Sequence, residues 1–277
     1  MAKALGLIGN FKGKLGNTVG YSLKDSNNKQ TQGVRVYQPV VRNPKTAAQA
    51  EQRAKLAPIN ATYRALKMVI DRGQEGKAYG NKSRLAWLSD AMKAFNGGWF
   101  KKGEAINAPA LVPLTKGSLG NPWPLTGDFS VISFTVIGIT TAETNTIGKL
   151  STAILAAYSS FKEGDQLTIV FVGDIETGIN SEVHSFVIDT TSSSAIPSWM
   201  AIKADQIQIN TDLESVVAGA TILSREGDNG AHLRSSASLI PSGEYPSTIL
   251  ADAAKQAAIE SYMSQGANTD WAEESLK

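Results

Sequence analysis

Cysteine is absent from this 277-residue chain, which excludes disulfides and thiolate metal sites. Histidine is nearly absent: His184 and His232 are the only two, too few for a histidine-rich metal site. No apolar run reaches the roughly 18 residues of a membrane span. The opening Met-Ala-Lys-Ala-Leu-Gly-Leu-Ile-Gly-Asn is too short an apolar stretch for a secretory signal. A Gly-x-Ser-x-Gly pentapeptide, which a serine-nucleophile elbow needs, occurs nowhere. The expectation is a soluble, non-enzymatic protein with no metal, no cofactor and no membrane partner.

What is present is a strong separation of charge. The formal net charge is only +2, yet residues 1–102 hold 19 Lys and Arg against 5 Asp and Glu, a local +14. Residues 103–277 hold the other 8 cations and 20 carboxylates, a local −12. Such asymmetry points to an anionic partner for the first part, or to head-to-tail contact between copies. A well-solvated lysine-rich face is the plainer explanation, set against a large imbalance.

Residues 9–24 carry glycines at 9, 13, 16 and 20, a density that argues against helix. Val19, Tyr21 and Leu23 alternate with Gly20 and Ser22, and Val34 and Val36 resume the alternation after a polar cluster at 25–30. The pattern predicts a β-hairpin over about 18–38, which needs something to pack on. Gly9 and Gly13 are spaced too closely for a phosphate loop, and Leu15 stands where that motif needs Ser or Thr.

Thr46 is the expected N-cap of a helix from Ala47, with Gln49 completing a capping box. Pro58 is expected to kink or break it, after which Ile59, Tyr63, Leu66 and Val69–Ile70 continue the helical spacing to near Gly73. A second helix is predicted over 81–95, with Leu85, Leu88, Met92 and Phe95 as its apolar face and Trp87 beside them. Residues 103–127, rich in Pro and Gly, read as an extended connector along the surface or across a partner.

From 128 the texture is all-β. Strands are predicted at 131–137, 166–173, 183–188, 204–209, 216–224 and 233–239, with a further candidate near 153–158. Ile207 and Ile209 should face inward, Gln206 and Gln208 outward. His184 should pack on the sheet or face solvent, and the turn-like 227–230 reads as a hairpin turn rather than a calcium loop. A helix over 247–263 should carry a stripe of Ile249, Leu250, Ala253, Ala257 and Tyr262, capped by Ser247 or Thr248. The acidic tail 265–277 has Trp271 as its expected anchor.

The fold class expected is therefore α+β. It comprises a basic N-terminal hairpin and helices (1–102), the connector (103–127), an antiparallel, immunoglobulin-like β-sandwich (128–246), and a C-terminal helix and tail (247–277). Candidate contact residues for nucleic acid or a neighbouring subunit are Lys12, Lys14, Lys24, Arg35, Arg42, Lys45, Arg53, Lys55, Arg64 and Lys67. Phe11, Tyr21, Tyr37 and Tyr63 are interleaved with them, as non-specific phosphate binding with stacking requires. No helix-turn-helix, zinc-finger or RNA-binding sheet motif accompanies them.

Gly9-x-Phe11-x-Gly13-Lys14-x-Gly16-Asn17-x-Val19-Gly20-Tyr21-Ser22, then Val40-Val41-Arg42-Asn43-Pro44-Lys45-Thr46-x-x-Gln49-x-x-x-Arg53, resembles the opening of an uncharacterised family of Bacteroidota and their phages. Asp165–Val170, Ala220–Arg225 and Leu233–Ser236 are similar to that family's β-domain pattern. The resemblance covers most of the chain and is strongest in the first 55 residues. It implies a phage or prophage setting and a structural role in the virion, assembled in the host cytoplasm from copies of itself or other virion proteins. It assigns no activity to any residue. A cytoplasmic, non-specific nucleic-acid-binding protein is the alternative.

Overall fold

In the computed structural model the described residues are 13–24, 30–37, 46–125, 132–137, 139–140, 144–175, 178–227 and 230–264. The fold is α+β, and the chain divides into two compact units: an arm, Met1–Lys45, and a body, Thr46–Lys277. The arm holds 8 Lys and Arg against 1 acidic residue, and the body holds 19 against 24.

The arm is a three-stranded antiparallel meander of β1 (Gly13–Leu15), β2 (Thr18–Lys24) and β3 (Gln30–Val36). The predicted hairpin is its β2–β3 half, in register from Thr18 opposite Val36 to Lys24 opposite Gln30. The third strand, β1, pairs Lys14 with Val19 and lay hidden in the glycine-rich stretch. Gly33 is required where it is: the Tyr21 ring lies over it, 2.6 Å from where a Cβ would sit. An aromatic side chain thus shields the bare backbone opposite it.

The body begins with α1 (Ala47–Ala65), which runs on through Pro58. The expected break does not occur. Thr62 and Pro58 explain how the turn is held: the buried Thr62 hydroxyl donates to the Pro58 carbonyl at 2.9 Å and accepts from the Ala110 amide at 2.8 Å. Thr46 does cap the helix, its Oγ1 accepting from the Gln49 amide at 3.3 Å. The return half of the capping box is missing, since Gln49 Oε1 has no hydrogen-bond partner among the described residues.

A short α2 (Lys67–Ile70) and α3 (Asn81–Ala94) follow. The buried face of α3 is Ser83, Trp87 and Ala91, at i, i+4, i+8, whereas Leu85 is 55% exposed. Trp87 rather than Leu85 wins the core because its ring fills more volume and its indole N–H reaches the Pro113 carbonyl at 2.7 Å.

Residues 103–125 are not a surface connector. Ala108, Ala110, Val112, Leu114 and Trp123 are buried, and β4 (Pro113–Thr115) pairs with a later strand. Proline and glycine break regular structure here without preventing burial, because side chains elsewhere satisfy the backbone. Thr62 binds Ala110, and the Tyr245 hydroxyl donates to the Pro109 carbonyl.

The remaining elements are β5 (Ile132–Thr135), α4 (Ile147–Ala157), β6 (Gln166–Ile175), β7 (Gly178–Val187), β8 (Met200–Lys203), β9 (Gln206–Ile209), β10 (Val216–Glu226), β11 (His232–Arg234), β12 (Ala237–Ser238), β13 (Ile240–Pro241) and α5 (Asp252–Ser264). The main sheet has the order β11-β10-β6-β7, with β13 also against β10, and a smaller sheet has the order β5-β9-β8. β12 pairs with β4. The candidate strand at 153–158 is instead helical. Thr146 caps α4, and Leu150 and Ile154, four residues apart, enter the core together. The predicted strand at 233–239 is broken into β11, β12 and β13. The C-terminal helix is also interrupted: a 3₁₀ turn at Ser247–Leu250 ends at Ala251 in extended backbone before α5 begins. The buried side of α5 is Ala258, with Ala254 and Tyr262 beside it, while Ala253 and Leu250 are exposed.

Two cores lie on opposite faces of the main sheet. Leu167, Ile169, Phe171 and Phe186 pack with Ile132, Phe134, Ile207 and Ile209 of the smaller sheet and with Leu150 and Ile154 of α4. Val170, Val172, Ala220 and Ile222 pack with Ile59, Leu66, Ile70 and Trp87 of α1–α3. This is why β10 is buried without a break from Val216 to Leu223, with no alternation and with Thr221 as the one polar side chain in the run. It also places the helices and the sheets in one unit, not in separate domains divided at 102. Ile207 and Ile209 are buried as expected, with Gln206 exposed and Gln208 half-buried.

Candidate interaction surface

In the arm, register decides which side chains share a face. Lys14, Val19 and Arg35 lie side by side across the three strands, with the Tyr21–Gly33 pair next to them. The Lys14 ammonium sits 3.7 Å above the Tyr37 ring, a cation–π contact that orients it. Arg35 is exposed. The opposite face presents Val34 and Val36, the latter 67% exposed. Lys24 closes β2 opposite Gln30. Lys12, Arg42 and Lys45 lie outside the described residues, as do Phe11, the turn at 25–29, the Asn43-Pro44 run, the 228–229 part of the turn, and the tail with Trp271.

In the body, Arg53 and Arg64 are both exposed on α1, and Lys67 is exposed on α2. Eleven residues are close to three full turns, so Arg53 and Arg64 fall on one line of the helix. Lys55 is not available in the same way. It pairs with Glu51 at 2.9 Å, and Lys255 of α5 approaches the same carboxylate at 3.7 Å, both ammonium groups lying near the Trp99 ring. These contacts hold Glu51 below its usual carboxylate pKa, mainly through the Lys55 hydrogen bond.

The expected aromatic partners are engaged in packing. Tyr63 donates to Asp71 at 2.9 Å, lies 5.9 Å from the Trp87 ring and carries Arg84 over its face. His184 packs on the sheet: it stacks on Trp199 at 4.5 Å, and its Nε2 lies 2.8 Å from Glu182.

A second cationic cluster escaped the sequence reading. Arg72 and Arg234 each place a guanidinium 5.8 Å from the centre of the Tyr79 ring, which is half exposed. Arg234 donates to the Tyr79 hydroxyl at 3.3 Å and to Ser224 at 2.8 Å, and the His232 ring lies 5.7 Å from Tyr79. Both arginines line a groove of about 440 Å³ between α2 and the β6–β7 end of the sheet, with Thr168, Ser181, Ser185 and Met68. Glu75 anchors its rim, accepting from the Ser118 amide at 2.9 Å, the Ser118 hydroxyl at 2.8 Å and the Arg234 amide at 3.0 Å. These donors lower its pKa, the Ser118 amide most. The residues are over 160 positions apart in the chain, so no spacing could have announced them. The one visible hint was Tyr79 in a polar stretch.

The three β-domain segments quoted for the family resemblance meet in space. Gln166 opposes Ser224 on adjacent strands, and Arg225 clamps the fully buried Asp165 with two bonds of 2.6 and 2.7 Å. That clamp is structural and raises the Arg225 pKa further. Among the described residues no group of three or more His, Asp or Glu side chains could hold a metal, and no helix is long and apolar enough to cross a membrane. No protein-family model, curated protein or solved structure matches the chain.

Proposed function

We propose that the chain is a non-enzymatic structural assembly protein, a capsid- or tail-associated bacteriophage virion component whose copies meet through charge-complementary contacts. One observation supports the reading: Val19, Tyr21, Val34, Val36 and Tyr37, the apolar side chains described in the arm, are all at least partly exposed, and among the described residues β1 and β3 each pair only with β2. A small three-stranded sheet that leaves Val36 67% exposed is marginal alone and gains stability by docking. Its net charge of +7 suits the −12 of residues 103–277 on another copy. The resemblance to the Bacteroidota and phage family supplies the virion setting. The immunoglobulin-like sandwich belongs to the same proposal, supported by two antiparallel sheets sharing one apolar core.

Mass photometry of the full chain tests this. Oligomers that grow with concentration and dissociate in Lys14→Glu/Arg35→Glu are expected. A chain that stays monomeric at every concentration and salt overturns it. A monomer that binds DNA through Lys14 and Arg35 with steep salt dependence would establish the alternative, a non-specific nucleic-acid-binding protein.

A further inference from the structure

We propose that the groove beneath Arg72, Tyr79 and Arg234 binds single-stranded nucleic acid, the guanidiniums taking phosphates and the Tyr79 ring taking a base. This inference concerns the body alone and does not rest on the assembly reading.

Four observations converge. First, the two guanidiniums stand on either part of one groove wall, and neither forms an ion pair with a carboxylate among the described residues. The nearby carboxylate is Glu75, which accepts from Ser118 and the Arg234 amide and attracts the Arg234 charge through space without forming an ion pair. Arg234 uses only part of its five donors on Ser224 and Tyr79, which leaves donors for an oxyanion.

Second, the groove floor mixes the hydroxyls of Thr168, Ser181, Ser185 and Ser224 with Val183 and Ile222. Thr168 and Ser185 are direct cross-strand partners, one step along from Val170 and Val183. Hydroxyls there suit a sugar–phosphate chain and waste the burial that an apolar ligand would want.

Third, Arg64 at the end of α1 and Lys67 at the start of α2 are exposed cations next in sequence to Ala65, Leu66 and Met68, which line the groove. The stretch 46–102 holds 11 Lys and Arg against 4 acidic residues, which matches a polymer of charge better than a lone anion.

Fourth, Tyr79 is half exposed, while Tyr63, Trp87 and Trp99 are packed. An exposed ring flanked by guanidiniums is a platform on which an unstacked base can lie. A duplex, whose bases are already stacked, has no use for it. An acidic peptide would match the charge but would leave the ring and the hydroxyl floor without partners.

Fluorescence anisotropy of the full-length protein with a labelled twelve-nucleotide oligo(dT) tests the proposal, with the matching duplex and a poly-glutamate peptide as competitors. Arg72→Gln/Arg234→Gln should weaken oligo(dT) binding at least tenfold and flatten the plot of log Kd against log salt by about 1.4, two phosphates at roughly 0.7 each. Tyr79→Ala should weaken binding about tenfold with the salt slope unchanged, because stacking releases no counterions. Lys203→Gln, an exposed charge on β8, should leave binding as it was. Arg72→Gln alone guards against a folding artefact, since among the described residues the Arg72 side chain makes only the ring contact with Tyr79 and its one hydrogen bond, to Val69, is from the backbone, and it should give part of the same effect. Equal affinity of wild type and all these variants for oligo(dT) overturns the proposal. So does stronger competition by duplex or poly-glutamate than by unlabelled oligo(dT).

Discussion

The arm and the body solve the problem of a stable sheet in opposite ways. In the body, β10 is covered on both faces and its neighbours are locked by the Asp165–Arg225 clamp. In the arm, three strands pair by backbone bonds, one tyrosine covers one glycine, and Val19, Tyr21, Val34, Val36 and Tyr37 are all left partly exposed. The first is stable by its own packing. The second has the backbone order of a sheet, while its described apolar side chains are only partly covered. The contrast runs with the charge: the more basic unit is the one whose described apolar side chains are left partly open.

Substitutions should separate the two units, the largest effect first. Asp165→Ala leaves the Arg225 guanidinium unpaired in a largely buried place and should cost the body about 3–5 kcal/mol, read from urea unfolding followed by tryptophan fluorescence. Thr62→Val keeps the shape but strands the buried Ala110 amide, for a loss of about 1–3 kcal/mol in the same assay. Thr46→Ala removes the α1 cap and should cost about 1 kcal/mol.

Glu75 gives a smaller, pH-dependent effect. Its folded pKa is depressed below 4.5, so its contribution is full above that value and is lost as pH falls through the folded pKa. Glu75→Gln should flatten the acid limb of the stability–pH profile and leave the profile above pH 6 parallel to wild type. Gly33→Val has the smallest effect on the body. It forces the Tyr21 ring aside in the arm yet should shift the body's urea midpoint by no more than about 0.5 kcal/mol equivalent, while weakening oligomers in mass photometry. A large shift in the body from this variant would break the division drawn here.

How much of this could be read in advance follows from the range of each signal. The hairpin, the Thr46 cap, α3, and the inward Ile207 and Ile209 all rest on neighbours within a few residues, and all were legible. The α4 helix was mistaken for a strand because Ala153–Tyr158 shows only its last turn, and the decisive pair is Leu150 with Ile154. Pro58 was misjudged because its helix is supported from outside, through Thr62 and Ala110. The 103–125 stretch was misjudged for the same reason: local breakers say nothing about partners 50 or 130 residues away. Among the candidate contact residues, charge identified Arg53, Arg64 and Lys67 as exposed cations, but Lys55 proved committed to Glu51. Arg72 and Arg234 meet only through the fold.

The pairing of β6 with β10 has a consequence in time. Those strands begin 50 residues apart and enclose β7, β8 and β9 between them, so the sheet cannot close until a long loop has been ordered. The arm's pairings span fewer than 20 residues and can form and dissolve in microseconds, again and again, during that wait. A newly made chain therefore forms the arm's sheet long before the body's core is finished. The slow closure of one strand pair sets how long that small sheet stands ahead of a finished body.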